Sequence, residues 1–433
     1  MQYYSLNNPS ARVSFKEATI RGQAPDKGLY FPERIPALPD EIITNPAGFS
    51  REELAFRVIQ PYVGNTLPEE VLRRIVAETI RFDFPLVPLT DTISSLELFH
   101  GPTLAFKDVG ARFMSRCLGH FVRGNDQPVT VLVATSGDTG GAVASGFYDV
   151  EGIQVVILYP SGKVSSVQEL QLTTLGKNIT ALEVDGSFDD CQQMVKEAFA
   201  DPALNKQRFL TSANSINVAR WLPQQFYYFF AWQQWNDKTN PPVISVPSGN
   251  FGNICAGLMA HSSGLPVKHF IAACNANSIV TDYLQTGDYK TRTAIPTLSN
   301  AMDVGNPSNF VRILEIFQKE LPALKKVLSS VSITDEETRR TIRDLYTLHQ
   351  YLPDPHGAVG YLALERYLSA HPGQKGFFLE TAHPVKFYDT VEPILNEKIP
   401  LPPAVAALLD KPKHSKKLSA RYSELKEFLL SLM

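Results

Sequence analysis

VTVLVATSGDTGGA, residues 129–142, is the stretch whose reading decides the fold. Its first six residues, apolar and rich in valine, predict a buried strand; Ser136 and Gly137 predict a tight turn, and the small residues from Thr139 onward a helix packed close to that strand. A strand feeding a helix through a glycine turn is the first half of a βαβ unit. The pattern continues outward. IQVVILY at 153–159 and ITALEV at 179–184 read as strands, with SSVQELQLTTLG and FDDCQQMVKEAFA as the helices that follow them. After VARWLPQQFYYFFAWQQW, 218–235, read as one long helix, the strands PPVISV (241–246), KHFIAAC (268–274) and KGFFLE (375–380) resume the alternation. That order predicts an α/β protein with two parallel-sheet domains.

Residues 1–90 differ. Proline-rich loops around APDKGLYFPERIPALPDEI and the helical pattern EEVLRRIVAETI predict a small N-terminal helical unit. Beyond EKIPLPP, a prolyl linker, KKLSARYSELKEFLLSLM reads as an amphipathic terminal helix. The expected partition is thus 1–90, helical; 91–225, an α/β domain; 226–385, a second α/β domain; and 386–433, linker and helix.

Composition excludes several classes. Hydrophobic residues make up 44% of the chain and charged ones 20%, with a net charge of −3, a soluble globular profile with no basic field to attract nucleic acid. KPKHSKK, 411–417, reads as a solvated basic loop. No basic start precedes an apolar run and no apolar stretch is long enough to span a bilayer, so the expectation is a cytoplasmic chain without a membrane partner, a monomer or small homo-oligomer. Cys117, Cys191, Cys255 and Cys274 have neither close pairing nor histidines at ligand spacing, so reduced structural thiols and no metal are expected.

Two loops carry chemistry. TSGDTGGA at 135–142 and PSGNFGN at 247–253 each follow a strand and precede a helix, where backbone N–H groups point outward and hold an anion. Neither ends in Gly-Lys-Ser/Thr, and neither matches G-x-G-x-x-G with an acidic ribose partner, so nucleoside triphosphates and dinucleotides are disfavoured. Taken alone, either loop serves equally to pack helix on strand. The third element is HGPTLAFKD, 100–108. If Pro102 opens a helix, steps of about 100° group Asp108, Arg112, Ser115, Arg116 and Gly119 as its wet face, and set Lys107 with Gly110, Ala111, Met114 and Leu118. Lys107 then either lays its stem along an apolar surface or, partly withdrawn from water, offers an amine for a Schiff base. Two anion loops in the same chain favour the amine, because an aldehyde cofactor with a phosphate needs both.

Six segments in order, DKGLYFP, FHGPTLAFKD, ATSGDTGGA, TSANSINVARW, VPSGNFGN and ETAHPVKF, resemble the threonine synthase family of the fold-type II (tryptophan synthase β class) pyridoxal phosphate enzymes over nearly the full length. The resemblance implies pyridoxal 5'-phosphate as cofactor and O-phospho-L-homoserine as the small-molecule substrate, converted with water to L-threonine and phosphate. It implies that Lys107 carries the cofactor and later shuttles protons, that Gly249, Asn250, Phe251, Gly252 and Asn253 cradle the cofactor phosphate, and that the Thr381 hydroxyl meets the pyridine nitrogen. Ser136, Gly137, Asp138 and Thr139 would receive the substrate carboxylate, and Asn214, Arg220 and Lys163 its phosphate, a group suited to the planar fork of arginine. Asp138 stands where many of the wider class carry Asn.

The residues themselves leave alternatives. Thr381 ends a strand; Asp138 and Thr139 serve as helix caps; Arg220 pairs with a surface carboxylate. His383, ahead of a proline, is a general base or a structural residue, and His100 either packs or assists the lysine. Asn277, Asp303 and Asn306 lie in a polar loop, 275–306, that closes the site or stands apart from it. Rival functions are a serine or threonine dehydratase of the same class, whose substrate lacks a phosphate, and a catalytically idle protein on this fold, which would be expected to have lost the lysine or an anion loop.

Overall fold

The alternating runs form two sheets in the computed structural model, which describes residues 1–124 and 127–432. One compact unit comprises Gln2–Phe31, Lys107–Arg220 and Leu401–Met433; the other comprises Met1, Pro32–Phe106 and Trp221–Pro400. Both are discontinuous in sequence, whereas the sequence reading divided the chain into four consecutive segments.

In the first unit the strands Ser415–Ser419, Ile179–Asp185, Ile153–Pro160, Val129–Ala134 and Phe209–Ser212 lie in that order in a wholly parallel sheet. Val131, with Val155 on one side and Thr211 on the other, marks the register of the valine-rich strand. That strand is buried along its whole length, the usual condition of a strand inside a parallel sheet. Leu132, Leu158 and Leu182 share a core with Met194 and Ala198 of the helix Phe188–Ala200 and with Leu425 and Leu429 of the helix Tyr422–Ser431.

The lysine helix runs Lys107–Val122 and does not start at Pro102, which sits in a turn closed by Leu104 N–H donating to Gly101 O at 3.0 Å. The face read as wet is partly withdrawn from water: Asp108 is 1% exposed and Ser115 0%, while Arg112, Arg116 and Gly119 are half-buried. Its polar groups bond to backbone instead of water, Ser115 Oγ donating to Arg112 O at 3.0 Å and Arg116 Nη1 to Gly146 O at 3.2 Å. A periodicity count registers polarity, and polarity met by carbonyls buries as readily as apolar surface.

In the second unit the sheet order is Leu328–Ser332, His269–Cys274, Val243–Pro247, Gly376–Glu380, Ile93–Glu97 and Leu86–Pro88; all neighbours are parallel except the last pair. Val243, Ile271 and Phe378 pack with Val359 and Leu364 of the helix Pro355–Ala370. Helices Arg51–Val63 and Glu69–Thr79 account for the helical pattern expected before residue 90, while Gln2–Ser5, Arg12–Ser14 and Tyr30–Pro32 form a small three-stranded sheet.

Two expected helices are interrupted. The stretch 218–235 consists of Val218–Trp221, a 3-10 turn Leu222–Gln224 and Gln225–Gln234, because Pro223 has no N–H to continue an α-helical ladder. The C-terminal stretch begins as the edge strand Ser415–Ser419 and turns helical only at Tyr422; its last residue, Met433, lies outside the described residues. Lysines on an edge strand keep it from pairing further, and the Lys416 ammonium sits 4.9 Å over the Phe428 ring.

Phe113, 0% exposed, anchors the lysine helix, its ring 6.5 Å from that of Phe15. Phe113→Ala is expected to cost about 3–5 kcal/mol, read as a lowered urea midpoint.

Candidate active site

In the first unit three loops leave the carboxyl ends of adjacent parallel strands, the position at which open α/β sheets bind ligands. The loop after Val129–Ala134 is shaped by Thr135, whose Oγ1 accepts from Gly137 N–H at 3.0 Å and Gly140 N–H at 2.9 Å and donates to Gly137 O at 3.1 Å. The helix Asp138–Phe147 is capped by Gly137 without a side-chain bond, so neither Asp138 nor Thr139 is the cap. Asp138 is 5% exposed. Its Oδ1 accepts from Gln168 Nε2 at 2.8 Å, and its Oδ2 faces Lys107 Nζ at 4.0 Å. Lys107 keeps 18% of its side chain exposed, so the amine is held at the turn yet reachable. Ser136 and Thr139 are half-buried beside them.

Gln168 was not singled out in the sequence. Its signal is the capping box of the helix Ser166–Thr173, in which Ser165 accepts from Gln168 N–H and Gln168 Oε1 accepts from Ser165 N–H at 3.2 Å. The same side chain thus starts a helix and orients Asp138.

Asn214 follows the strand Phe209–Ser212. Its Nδ2 reaches Ala134 O at 3.5 Å, while its buried Oδ1 has no partner among the described residues. Arg220 is 3% exposed, and its Nη1 donates to Ala213 O. Arg220 is therefore not a surface residue. Asn217, fully buried and also unflagged by sequence, shapes this segment by donating to Thr19 O at 2.9 Å and Ser212 O at 3.1 Å. Lys163 is exposed in the turn after Ile153–Pro160.

In the second unit the loop after Val243–Pro247 has its carbonyls and side chains bonded from within. Asn250 O accepts from Asn309 N–H and from Asn309 Nδ2, both at 3.1 Å; Asn253 Nδ2 donates to Pro247 O at 2.8 Å, and Tyr228 OH donates to Asn253 O at 2.7 Å. Phe251 takes φ +61° and opens the helix Gly252–Ser262. The backbone N–H groups of Asn250, Phe251, Gly252 and Asn253 meet no acceptor among the described residues. A Cβ on Gly249 would lie 2.8 Å from Ala301 O and 2.9 Å from Met302 Cα, so the loop admits only glycine there. Outward amides at a helix N-terminus fit a phosphate. Behind them Arg312, 0% exposed, donates to Asn309 Oδ1 and lies 4.9 Å over the Trp221 ring.

Thr381 follows the strand Gly376–Glu380 and is 6% exposed. Its carbonyl accepts from Phe106 N–H at 2.8 Å, and Tyr227 OH donates to Phe106 O. A neutral hydroxyl at this position suits a ring nitrogen. His383 starts the turn Pro384–Phe387, its Nδ1 accepting from Val385 N–H at 3.1 Å, and burial, with the charge of His100 second, lowers its pKa to about 4. His100 Nε2 pairs with Glu97 Oε2 at 2.7 Å. Asn275, Asn277 and Asp303 bond to one another, Asp303 Oδ1 accepting from Asn275 at 2.8 Å and Asn277 at 3.1 Å, which pins the 275–306 loop to the sheet end. Among the described residues no group of three or more His, Cys, Asp or Glu could hold a metal ion, and no helix is long and apolar enough to cross a membrane.

Comparison with known proteins adds the following. Residues 94–377 match the family described as pyridoxal-phosphate dependent enzyme, residues 2–80 the threonine synthase N terminus and residues 357–429 the threonine synthase C-terminal family. A threonine synthase of Serratia marcescens is 45% identical over 433 residues, covering 100% of both chains. The crystal structure of threonine synthase from Escherichia coli aligns with a TM-score of 0.92 at 43% identity, covering 99% of each chain. The pyridoxal-phosphate-bound threonine synthase of Brucella melitensis aligns with a TM-score of 0.92 at 33% identity, also covering 99% of each.

A histidine whose folded pKa lies below its unfolded value takes up its proton later than the unfolded chain does. Stability linked to His383 is therefore intact above about pH 6.5 and falls as the pH drops toward about 4. NMR titration of the ring should show His383 still neutral at about pH 5.5, where an ordinary histidine is mostly charged.

Proposed function

We propose, on the premise that this chain belongs to the threonine synthase family of pyridoxal-phosphate-dependent enzymes, that Lys107, Ser136, Gly137, Asp138, Thr139, Asn214, Arg220, Lys163, the loop of Gly249, Asn250, Phe251, Gly252 and Asn253, and Thr381 carry its reaction. That reaction is the conversion of O-phospho-L-homoserine and water to L-threonine and phosphate, the work of a carbon-oxygen lyase acting on phosphate. Pyridoxal phosphate, when bound, supplies a ring that withdraws the electron pair left at the substrate α carbon.

The chain's own residues do the rest. The amides of Asn250, Phe251, Gly252 and Asn253 hold the cofactor phosphate, and the Thr381 hydroxyl meets the pyridine nitrogen. Lys107 Nζ carries protons at the α and β carbons, and Asp138, turned by Gln168, holds the amine between transfers. Ser136, Gly137 and Thr139 receive the substrate carboxylate. Arg220 and Asn214, with Lys163 at the outer edge, receive the γ phosphate that leaves before water adds at the β carbon. What supports the assignment most is Lys107 itself, a lysine mostly withdrawn from water with Nζ 4.0 Å from Asp138 at the carboxyl end of a parallel strand. The four cysteines, all buried and unpaired, favour the cytoplasm as its location.

The test is phosphate and threonine release from O-phospho-L-homoserine, with the visible band of lysine-bound pyridoxal recorded in parallel. Lys107→Ala is expected to abolish the band and lower turnover by about a thousandfold or more. Asn214→Ala and Arg220→Ala are expected to keep the band and lower kcat/KM by about 10- to 100-fold each. Variants of Asn214 and Arg220 with unchanged kcat/KM would remove them from the phosphate site.

A further inference from the structure

Two fully buried carboxyl groups in the second unit have no part in the chemistry above. Glu380 ends its strand immediately before Thr381, Asp354 caps the helix Pro355–Ala370, and both are 0% exposed. Glu380 Oε1 accepts from Asp354 N–H at 2.6 Å. Asp354 Oδ1 accepts from His356 N–H at 2.5 Å and Gly357 N–H at 2.8 Å, and lies 3.1 Å from His356 Nδ1. On the other side of the ring, Nε2 is 3.1 Å from Ala301 N. A backbone amide only donates, so Nε2 is bare, and a neutral ring carries its proton on Nδ1 and donates it to Asp354.

Ala301 belongs to the turn Asn300–Met302, and this is the backbone that stands against Gly249. A continuous path therefore runs from Glu380, the neighbour of Thr381, through Asp354 and His356 to Ala301 and the Gly249 loop. Each link is a hydrogen bond, fully buried except for the half-buried Ala301 amide, or a backbone contact too close for a methyl group.

The path is built at a cost. Glu380 Oε2 and Asp354 Oδ2 have no hydrogen-bond partner among the described residues. Burial first, and then the nearby Asp354 charge, raise the Glu380 pKa well above the carboxylate range. Gly357 is fitted to this arrangement, since a Cβ there would fall 1.6 Å from Glu380 Oε2. Burying two acids side by side is destabilising unless something requires them.

We propose that Glu380, Asp354 and His356 are positioning residues that fix Thr381 relative to the Gly249 loop and thereby set the grip on the cofactor. The proposal rests on the assignment of Thr381 and that loop to the cofactor. Glu380 acts in its neutral form, as a spacer that accepts from Asp354 N–H without adding a second buried charge.

The experiment titrates pyridoxal phosphate into the cofactor-free full chain, reading Kd from the visible band and the phosphate environment from the 31P resonance. The variants are His356→Phe, Glu380→Gln and Gly249→Ala. Phenylalanine keeps a ring against Phe387, 4.8 Å from His356, and removes both polar bonds. His356→Phe is expected to weaken Kd about tenfold and shift the 31P resonance. Glu380→Gln should bind within about twofold of the parent, since an amide keeps the acceptor and remains uncharged. Gly249→Ala should weaken binding. Normal Kd and 31P shift in His356→Phe, with weak binding in Gly249→Ala, would overturn the relay alone. Normal binding in Gly249→Ala would overturn the loop assignment beneath it. Glu380→Gln binding as weakly as His356→Phe would overturn the neutral acid. Should His356→Phe not fold, His356→Gln takes its place, with weakened binding expected and parent-like binding overturning the relay.

Discussion

Backbone carbonyls bonded from inside the protein are the constraint on which the Gly249 loop depends. Once Asn309 has taken the Asn250 carbonyl, that peptide plane is fixed and its N–H, on Phe251, meets no acceptor among the described residues, while Asn253 and Tyr228 bond the carbonyls of Pro247 and Asn253 at the two ends of the loop. Buried backbone polar groups are almost always paired, so such a row of amides calls for an acceptor. The turn at residues 135–140 follows similar logic with a different agent, the Thr135 hydroxyl, which takes two amides inward and fixes the turn that Asp138 leaves.

Charge is distributed unequally between the site and the surface. Lys177 and Asp149 pair at 2.6 Å with more than half of each side chain in water, where solvent and salt screen the contact and leave it little weight. Lys107 and Asp138 are farther apart, at 4.0 Å, yet mostly withdrawn from solvent. At an effective dielectric near 20 their attraction is roughly 4 kcal/mol, before the loss of hydration that opposes it. The Gln168 bond to Asp138 Oδ1 keeps the carboxylate turned with Oδ2 toward Lys107.

Much of the architecture was legible in the sequence because its signals are local. Valine-rich runs bounded by Gly and Ser declared the strands, and the two glycine loops were placed by composition and by their position between strand and helix, whereas Lys107 was read inside a helix opening at Pro102 and in fact begins it. What escaped depends on partners far along the chain. Asp108 and Ser115 read as solvent-facing because periodicity registers polarity and not the carbonyls that satisfy it. Gln168 lies 30 residues from Asp138, and Glu380 lies 26 from Asp354. Neither pair leaves a spacing to detect. Ser415–Ser419 was missed as a strand because its lysines suit an edge, where one side pairs and the other stays wet.

That edge strand has a consequence for the order in which the molecule can be made. The unit containing Lys107 takes its sheet edge from residues 415–419 and part of its core from Leu425 and Leu429. A ribosome delivers these after residue 380. The sheet of the other unit, which holds the Gly249 loop and Thr381, is fully synthesised by Glu380. During translation the unit with the Gly249 loop can therefore complete its sheet while the unit with Lys107 still lacks an edge and two core leucines, so vectorial synthesis puts completion of the Lys107 unit after that of the other sheet.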